Sequence, residues 1–332
     1  MIINPAIIAL VWGSILITVF ALYALVSALR ILRHWDVHSG SERQLALERK
    51  TYLISTIFSY VLVFELFSLF LFIYTADHIH SLFVGAMCAA GSLAVNIFGY
   101  PTLILKIVVF MLCGVWLIVN YADNQSHDYP LIRPKYKLLA VLTVLIALET
   151  LFQTIYFMGL KADVITSCCG TLFSEGTKSV AGQVAALPPN GTRIVFFLVL
   201  ILTMRVGIHV VVKGRGAAAF GLLAGVTTVV SLAAVISFIS PYYYELPTHH
   251  CPFCLLQKDY HYIGYPIYLS LFIGGITGMG AGVLDGLKGP SSVSSIIPTL
   301  QRRLCFFSMA GFLVFALLAA YPMIFSDFVL GS

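Results

Sequence analysis

The sequence predicts an all-α polytopic membrane protein with about eight transmembrane helices. Its 332 residues are 60% hydrophobic and only 10% charged, whereas a soluble domain carries about 25% charged residues. The chain also contains eight apolar runs of the length that spans a bilayer, roughly 20 residues each. The net charge of +5 lies in short loops between these runs, so it predicts orientation in a lipid bilayer and excludes nucleic acid as a partner.

The predicted spans follow the apolar runs, and the first is a retained span because no basic segment precedes it. The spans cover residues 5–29, 51–75, 101–121, 138–160, 193–212, 217–240, 266–286 and 304–326. Most lysines and arginines fall in the loops after the first, third, fifth and seventh spans. By the positive-inside rule these loops are cytoplasmic, so both termini are expected outside the cytoplasm.

The chain also has the pattern of a duplication. A shift of 165 residues places Gly99-Tyr100-Pro101 on Gly264-Tyr265-Pro266 and superimposes three pairs of spans. This predicts two parallel four-helix repeats, at residues 1–160 and 193–332, joined by an outer loop at 161–192. The alternative is that two hydrophobic halves align by hydropathy alone and the short motif recurs by chance. In each motif, proline fits the first turn of a helix.

Cysteine and histidine are concentrated in the loops predicted to face outward. Cysteines in these loops are Cys88, Cys168, Cys169, Cys251 and Cys254. Histidines in the same loops are His78, His80, His249, His250 and His261. Such an enrichment in so apolar a chain indicates a site. The other two cysteines, Cys113 and Cys305, lie in predicted spans and are interpreted as small buried hydrophobic residues.

Cys251-Pro252-Phe253-Cys254 is open to three interpretations. As a redox pair at a helix start, it would cycle between dithiol and disulfide, with the helix N-terminus lowering the pKa of the first thiol. As a metal site, its thiolates would bind a soft ion such as copper(I) or zinc(II), with His249, His250 or His261 completing the ligand set. The third interpretation is a static disulfide, or reduced thiols that only pack.

The remaining outer cysteines extend these alternatives. Cys168 and Cys169 are adjacent, and a disulfide between them would close a strained ring. They are therefore expected to exchange with other cysteines or to chelate a soft metal, unless one forms a structural disulfide. Cys88 is a metal ligand or a resolving thiol in the loop with His78 and His80, and taken alone it is interpreted as structural.

Ionisable and small residues also occur inside the predicted spans. Ionisable groups in a membrane are costly, so Glu65, Lys106, Glu149 and Gln153 are candidates for a polar path or proton relay. The alternative is a buried pair that fixes helix packing. Glycines at four-residue spacing in the seventh span predict close helix approach: Gly274, Gly278 and Gly282.

The position of Cys251 and Cys254 at the outer mouth of a helix bundle, with further loop cysteines, resembles the quinone-coupled disulfide-forming membrane proteins of the DsbB and VKOR kind. The resemblance covers that motif and its placement, and it implies electron transfer to a quinone. Those proteins usually have four or five spans, and their loop pair is not vicinal. The Cys168-Cys169 pair is similar to one in small mercury-transport membrane proteins.

Three functions follow as expectations. The first is a thiol-disulfide oxidoreductase in which Cys251 and Cys254 exchange with Cys168 and Cys169, passing electrons to quinone or to a periplasmic partner. The second is a carrier or insertion factor for copper, zinc or mercury, working with a metal-carrier protein. The third is a scaffold subunit of a larger membrane complex. The expected location is the bacterial inner membrane, with the Cys/His loops facing the periplasm.

Overall fold

The computed structural model describes residues 4–36, 41–126, 129–161, 164–166, 180–287 and 296–330. Within these ranges the chain is built from helices, and the only β pairing is an isolated bridge between Val84 and Ile165. Eight helices are long and apolar enough to cross a membrane. The prediction of an all-α protein with eight transmembrane helices is confirmed, and a lipid bilayer is the environment that such helices fit.

The helices are numbered in chain order, and several extend beyond the predicted spans. They are α1 (Pro5–His34), α2 (Glu42–His78), α3 (Ala89–Leu93), α4 (Gly99–Asn124), α5 (Ile132–Met158), α6 (Val180–Ala185), α7 (Pro189–Lys213), α8 (Ala217–Ala234), α9 (Ser240–Tyr244), α10 (Gly264–Asp285) and α11 (Ile296–Phe325). A π-helical turn, Val235–Ile239, connects α8 to α9. Large apolar side chains remain exposed along the long helices, among them Phe67 at 67% and Leu222 at 70%, as expected of surfaces that face lipid.

The helix starts follow from local sequence. The side chain of Asn4 caps α1 by accepting a hydrogen bond from the backbone N–H of Ala6 at 2.9 Å, and Pro5 occupies the first turn. Helices α4 and α10 begin at the glycines of the two Gly-Tyr-Pro motifs, Gly99 and Gly264. The interpretation of these prolines as first-turn residues is therefore confirmed.

The described chain divides into two compact units. Unit 1 comprises Met1–Thr75, Asn96–Leu160 and Gly286–Thr299. In its core, helix α5 packs against α1 and α4. The rings of Phe58 and Trp116 meet edge to face with their centroids 5.1 Å apart, and Trp116 Nε1 donates to the carbonyl of Lys135 at 3.1 Å. A buried hydrogen bond and aromatic packing together fix α2, α4 and α5.

Unit 2 comprises Ala76–Val95, Lys161–Asp285 and Leu300–Ser332. Its long helices pack closely because glycines line α10. A Cβ atom on Gly274 would lie 2.9 Å from the ring of Phe312, and one on Gly282 would lie 2.7 Å from Cα of Gly221. Gly278 faces Ala224 of α8 and Ser308 of α11. The predicted glycine stripe at Gly274, Gly278 and Gly282 is confirmed as a helix-packing surface.

We expect Gly278→Ala to lower the free energy of unfolding by about 1–3 kcal/mol, the usual cost of overpacking a close contact. The added methyl group would meet the Cβ of Ala224 and would lie 2.7 Å from Ser308 Oγ. Thermal unfolding in detergent measures the effect. The matched control is Gly225→Ala on α8, whose added Cβ has Met279 Sδ at 3.5 Å as its nearest neighbour. This control should not destabilise the protein, and equal losses in both variants would contradict the packing interpretation.

Candidate metal centre

Three cysteine thiols meet inside unit 2. The Sγ atoms of Cys88, Cys251 and Cys254 all lie within 4.8 Å of one another, and all three residues are buried. The Sγ atoms of Cys88 and Cys251 are 3.5 Å apart, a distance much longer than the roughly 2.05 Å of a disulfide bond. None of the three cysteines forms a disulfide. Among the residues described, no other group of three or more Cys, His, Asp or Glu ligand atoms is so close together.

Cys88 is held at the site by the turn that precedes helix α3. It occupies the N-cap position of α3 in an extended conformation, and its carbonyl accepts a hydrogen bond from the N–H of Gly91 at 3.0 Å. A carboxylate oxygen of Asp77, at the end of α2, accepts from the N–H of Ala89 at 3.1 Å. These bonds fix the backbone at Cys88 and immediately after it.

Gln257 connects the Cys88 segment to the loop that carries the other two cysteines. Its Nε2 donates to Asp77 Oδ1 and to the carbonyl of Met87, each at 3.1 Å. Since Met87 is the neighbour of Cys88 and Gln257 follows Cys254 by less than one helical turn, these bonds set the spacing of the two cysteine segments. Asp77 and Gln257 were not among the residues selected from the sequence, where nothing distinguishes them from other loop-end polar residues.

Two tyrosines hold the backbone of the Cys251–Cys254 loop. Tyr244 Oη donates to the carbonyl of Cys251 at 2.6 Å, and Tyr268 Oη donates to the carbonyl of Pro252 at 2.8 Å. Beyond the loop, Gly264 lies so close to Leu255 and Leu256 that a Cβ atom would come within 2.8 to 3.0 Å of them. The start of α10 therefore supports the cysteine loop directly.

The expectation that the Cys-Pro-Phe-Cys motif begins a helix is wrong. Cys254 begins only a three-residue 3₁₀ turn, Cys254–Leu256, and a second such turn follows at Lys258–Tyr260. Helix α10 starts later, at Gly264, where the Gly-Tyr-Pro motif provides the first turn. The positive end of a long helix therefore does not act on Cys251, and the argument for a lowered thiol pKa from that source no longer applies.

His249 is the predicted histidine with the clearest potential as a further ligand. Its ring meets that of Tyr244 edge-on, with centroids 4.5 Å apart. Its Nε2 atom is buried and has no hydrogen-bond partner among the described residues. Partial burial lowers the pKa of His249, an effect that Cys88 opposes and His250 reinforces. The imidazole is thus kept neutral near the thiols, which is the form that binds metal.

Among the described residues, neither His249 nor any other predicted histidine has a ring nitrogen within the three-thiol group. His250 is buried, and its Nδ1 donates to the carbonyl of Ile236 at 2.9 Å. His80 uses a ring nitrogen to contact the backbone carbonyl of Asp77, and His78 and His261 are exposed. Cys168 and Cys169 lie outside the described residues.

The predicted intramembrane polar residues lie in unit 1, where three of them meet. Lys106 Nζ is 2.5 Å from Glu149 Oε1 and 3.8 Å from Glu65 Oε1, and all three side chains are buried. Gln153, one turn from Glu149 on α5, donates to Ser14 Oγ at 2.7 Å. The sequence indicated that Glu65 and Lys106, at similar depth in consecutive spans, could pair, and in the structure Lys106 also pairs with Glu149.

Neither a protein-family model nor a curated protein nor a solved structure matches the chain. The fold and the site alone therefore define the class: a polytopic integral membrane protein with a buried cluster of three thiols.

Proposed function

We propose that this protein binds a soft metal ion, copper(I) or zinc(II), through the thiolates of Cys88, Cys251 and Cys254. The observation that carries the proposal is the convergence of three buried thiols from two segments far apart in the chain. Thiolates are the preferred ligands of soft and borderline metal ions. A membrane protein with such a site serves as a metal carrier or as a factor that inserts metal into a partner protein.

The spacing of the sulfur atoms fits a shared ion. Zinc–sulfur bonds of about 2.3 Å place two sulfurs on one ion roughly 3.8 to 4.0 Å apart. The 3.5 Å between Cys88 and Cys251 and the 4.8 Å limit for the group bracket this separation. Small side-chain rotations therefore suffice to form the site. His249, whose buried Nε2 has no hydrogen-bond partner among the described residues, is the candidate for a fourth ligand.

Burial adds an electrostatic argument for a cation. Thiolates removed from water are costly unless a positive charge compensates them. Cys88 and Cys251 have no accessible surface, and Cys254 is 6% exposed. A metal ion both supplies the compensating charge and displaces the thiol protons. Three buried thiols are therefore better suited to binding a metal ion than to reacting with a soluble protein.

A second candidate function is thiol oxidation, which the 3.5 Å contact between the Cys88 and Cys251 sulfurs favours. Closing this pair would form one S–S bond and release two protons and two electrons, with a membrane quinone as the electron acceptor. In this function the Cys254 thiolate would then attack the Cys88 sulfur, so that the Cys88–Cys251 bond breaks, a Cys88–Cys254 disulfide forms and Cys251 leaves as a thiolate. The Cys168–Cys169 pair would exchange with Cys251 and Cys254.

The proposal includes the topology expected from the sequence. Two parallel four-helix repeats, with both termini outside the cytoplasm, would put the thiol site on the periplasmic side of a bacterial inner membrane. There it would meet a periplasmic metal carrier or redox partner, or another subunit of a membrane complex.

Metal analysis of the full-length protein, purified without oxidant, tests the metal proposal against thiol oxidation. We expect about one copper or zinc ion per chain, with the cluster thiols protected from alkylation until a chelator removes the metal. No bound metal after incubation with either ion would contradict the proposal. A disulfide between Cys88 and Cys251 that forms as an added quinone is reduced to quinol would instead support oxidation.

A further inference from the structure

Three ionisable side chains meet inside unit 1, in helices that cross the membrane. Glu65 of α2, Lys106 of α4 and Glu149 of α5 are each no more than 3% exposed. Lys106 Nζ lies 2.5 Å from Glu149 Oε1 and 3.8 Å from Glu65 Oε1, and it donates to Ser68 Oγ at 2.7 Å. The lysine therefore bridges both carboxyl groups.

The charges of this group do not balance when every member is ionised. Two carboxylates and one ammonium leave a net charge of −1, and an uncompensated charge buried in a membrane is costly. No compensating charge comes from the adjacent helix α1. Helix α1, which packs against α5, has no charged residue before Arg30, and it presents the hydroxyl of Ser14 to Gln153.

A second observation indicates where the missing positive charge binds. Oε2 of Glu149 is buried and has no hydrogen-bond partner among the described residues, while the Glu65 and Glu149 carboxyl groups are within hydrogen-bonding reach of each other. Two carboxylates only accept hydrogen bonds, so this contact needs one hydrogen atom. The Cys113 thiol of α4 lies close enough to feel the charge of both carboxyl groups, and a thiol carries no positive charge.

We propose that Glu65 and Glu149 form a proton-binding site within the membrane, in which the two carboxyl groups share one exchangeable proton beside Lys106. A proton taken from water forms an O–H bond on one carboxyl oxygen, and its release restores the carboxylate. Gln153 and Ser14 continue the polar groups from Glu149 toward α1. This site is separate from the thiol cluster, and it gives the protein a means of coupling a membrane step to proton uptake.

Infrared spectroscopy of the full-length protein in lipid nanodiscs tests the site. At neutral pH we expect a carbonyl band of a protonated carboxylic acid that shifts in D₂O and is lost as pH rises. Glu65→Gln and Glu149→Gln should each abolish the band, because the remaining carboxylate is then balanced by Lys106. The control Glu42→Gln changes an exposed carboxylate of α2 and should leave the band intact.

A further variant keeps the test decisive if a glutamine variant fails to fold. Lys106→Gln removes the ammonium, so both carboxyl groups should then be protonated and the band should grow about twofold. The proposal is overturned if the wild-type protein has no deuterium-sensitive acid band. It is also overturned if the band persists in either glutamine variant, or if sodium chloride at constant pH removes it, since the site would then bind sodium.

Discussion

Replacing Cys88 with serine is expected to weaken copper(I) or zinc(II) binding by at least about 100-fold. Loss of a partner that only supports a metal ligand costs about 10- to 100-fold in affinity, and Cys88 would supply one of three thiolates directly. Its sulfur lies 3.5 Å from that of Cys251, and a serine hydroxyl at this position is a poor ligand for a soft ion. Competition with a coloured chelator of known affinity measures the change.

The chain offers two matched controls for this variant. Cys113 on α4 and Cys305 on α11 are also buried cysteines outside any disulfide, and neither belongs to the three-thiol group. Cys113→Ser and Cys305→Ser should keep the wild-type affinity. If Cys88→Ser retained full affinity while Cys251→Ser lost it, the metal would be held by the Cys-Pro-Phe-Cys loop alone and the three-thiol site would be rejected.

The Asp123→Ala variant should lower the free energy of unfolding by about 3–5 kcal/mol, the cost of removing one partner from a buried ion pair. The side chains of Asp123 and Lys135 are both fully buried and form a salt bridge. Asp123 Oδ1 also accepts a hydrogen bond from the N–H of Leu131 at 2.9 Å. Without the carboxylate, the buried ammonium of Lys135 and this N–H both lose their partner. Chemical or thermal unfolding in detergent measures the loss.

A double variant separates the ion pair from the local packing. Replacing Asp123 with leucine and Lys135 with methionine removes both charges, and replacing a buried pair by apolar groups is often neutral or stabilising. The double variant should therefore be more stable than Asp123→Ala. Asp259→Ala alters an exposed carboxylate and should change stability by no more than about 0.5 kcal/mol. A double variant as unstable as Asp123→Ala would show that the charges are not the cause.

The fold was predictable because each transmembrane helix leaves a local signal in the sequence. Apolar runs of membrane-spanning length predicted eight helices, and the glycine stripe of α10 predicted close helix contact without knowledge of the partners. The C-x-x-C motif was wrongly interpreted as a helix start, because its spacing does not distinguish a helix from the 3₁₀ turn that Cys254 begins. The Gly-Tyr-Pro motif was correctly assigned to the first turn of the helix that begins at Gly264.

The candidate site was only half predictable from the sequence. Cys251 and Cys254 stand out by their spacing, whereas Cys88 stands alone and was interpreted as structural when considered by itself. Its nearness to the pair is a tertiary contact, fixed by hydrogen bonds of Gln257 to Asp77 and to the carbonyl of Met87. No local pattern encodes such contacts, so the assembly of three thiols required the structure.

The separation of the thiols along the chain also determines when the site can be completed during biosynthesis. Cys88 precedes Cys251 by 163 positions, and the four long helices α4, α5, α7 and α8 are made between them. At synthesis rates of 5–20 residues per second, the interval is roughly 8 to 30 s. On the proposed function, metal loading at three thiolates would therefore be a late step that follows insertion of these helices. A reductant that protects the growing chain would have to act on Cys88 first.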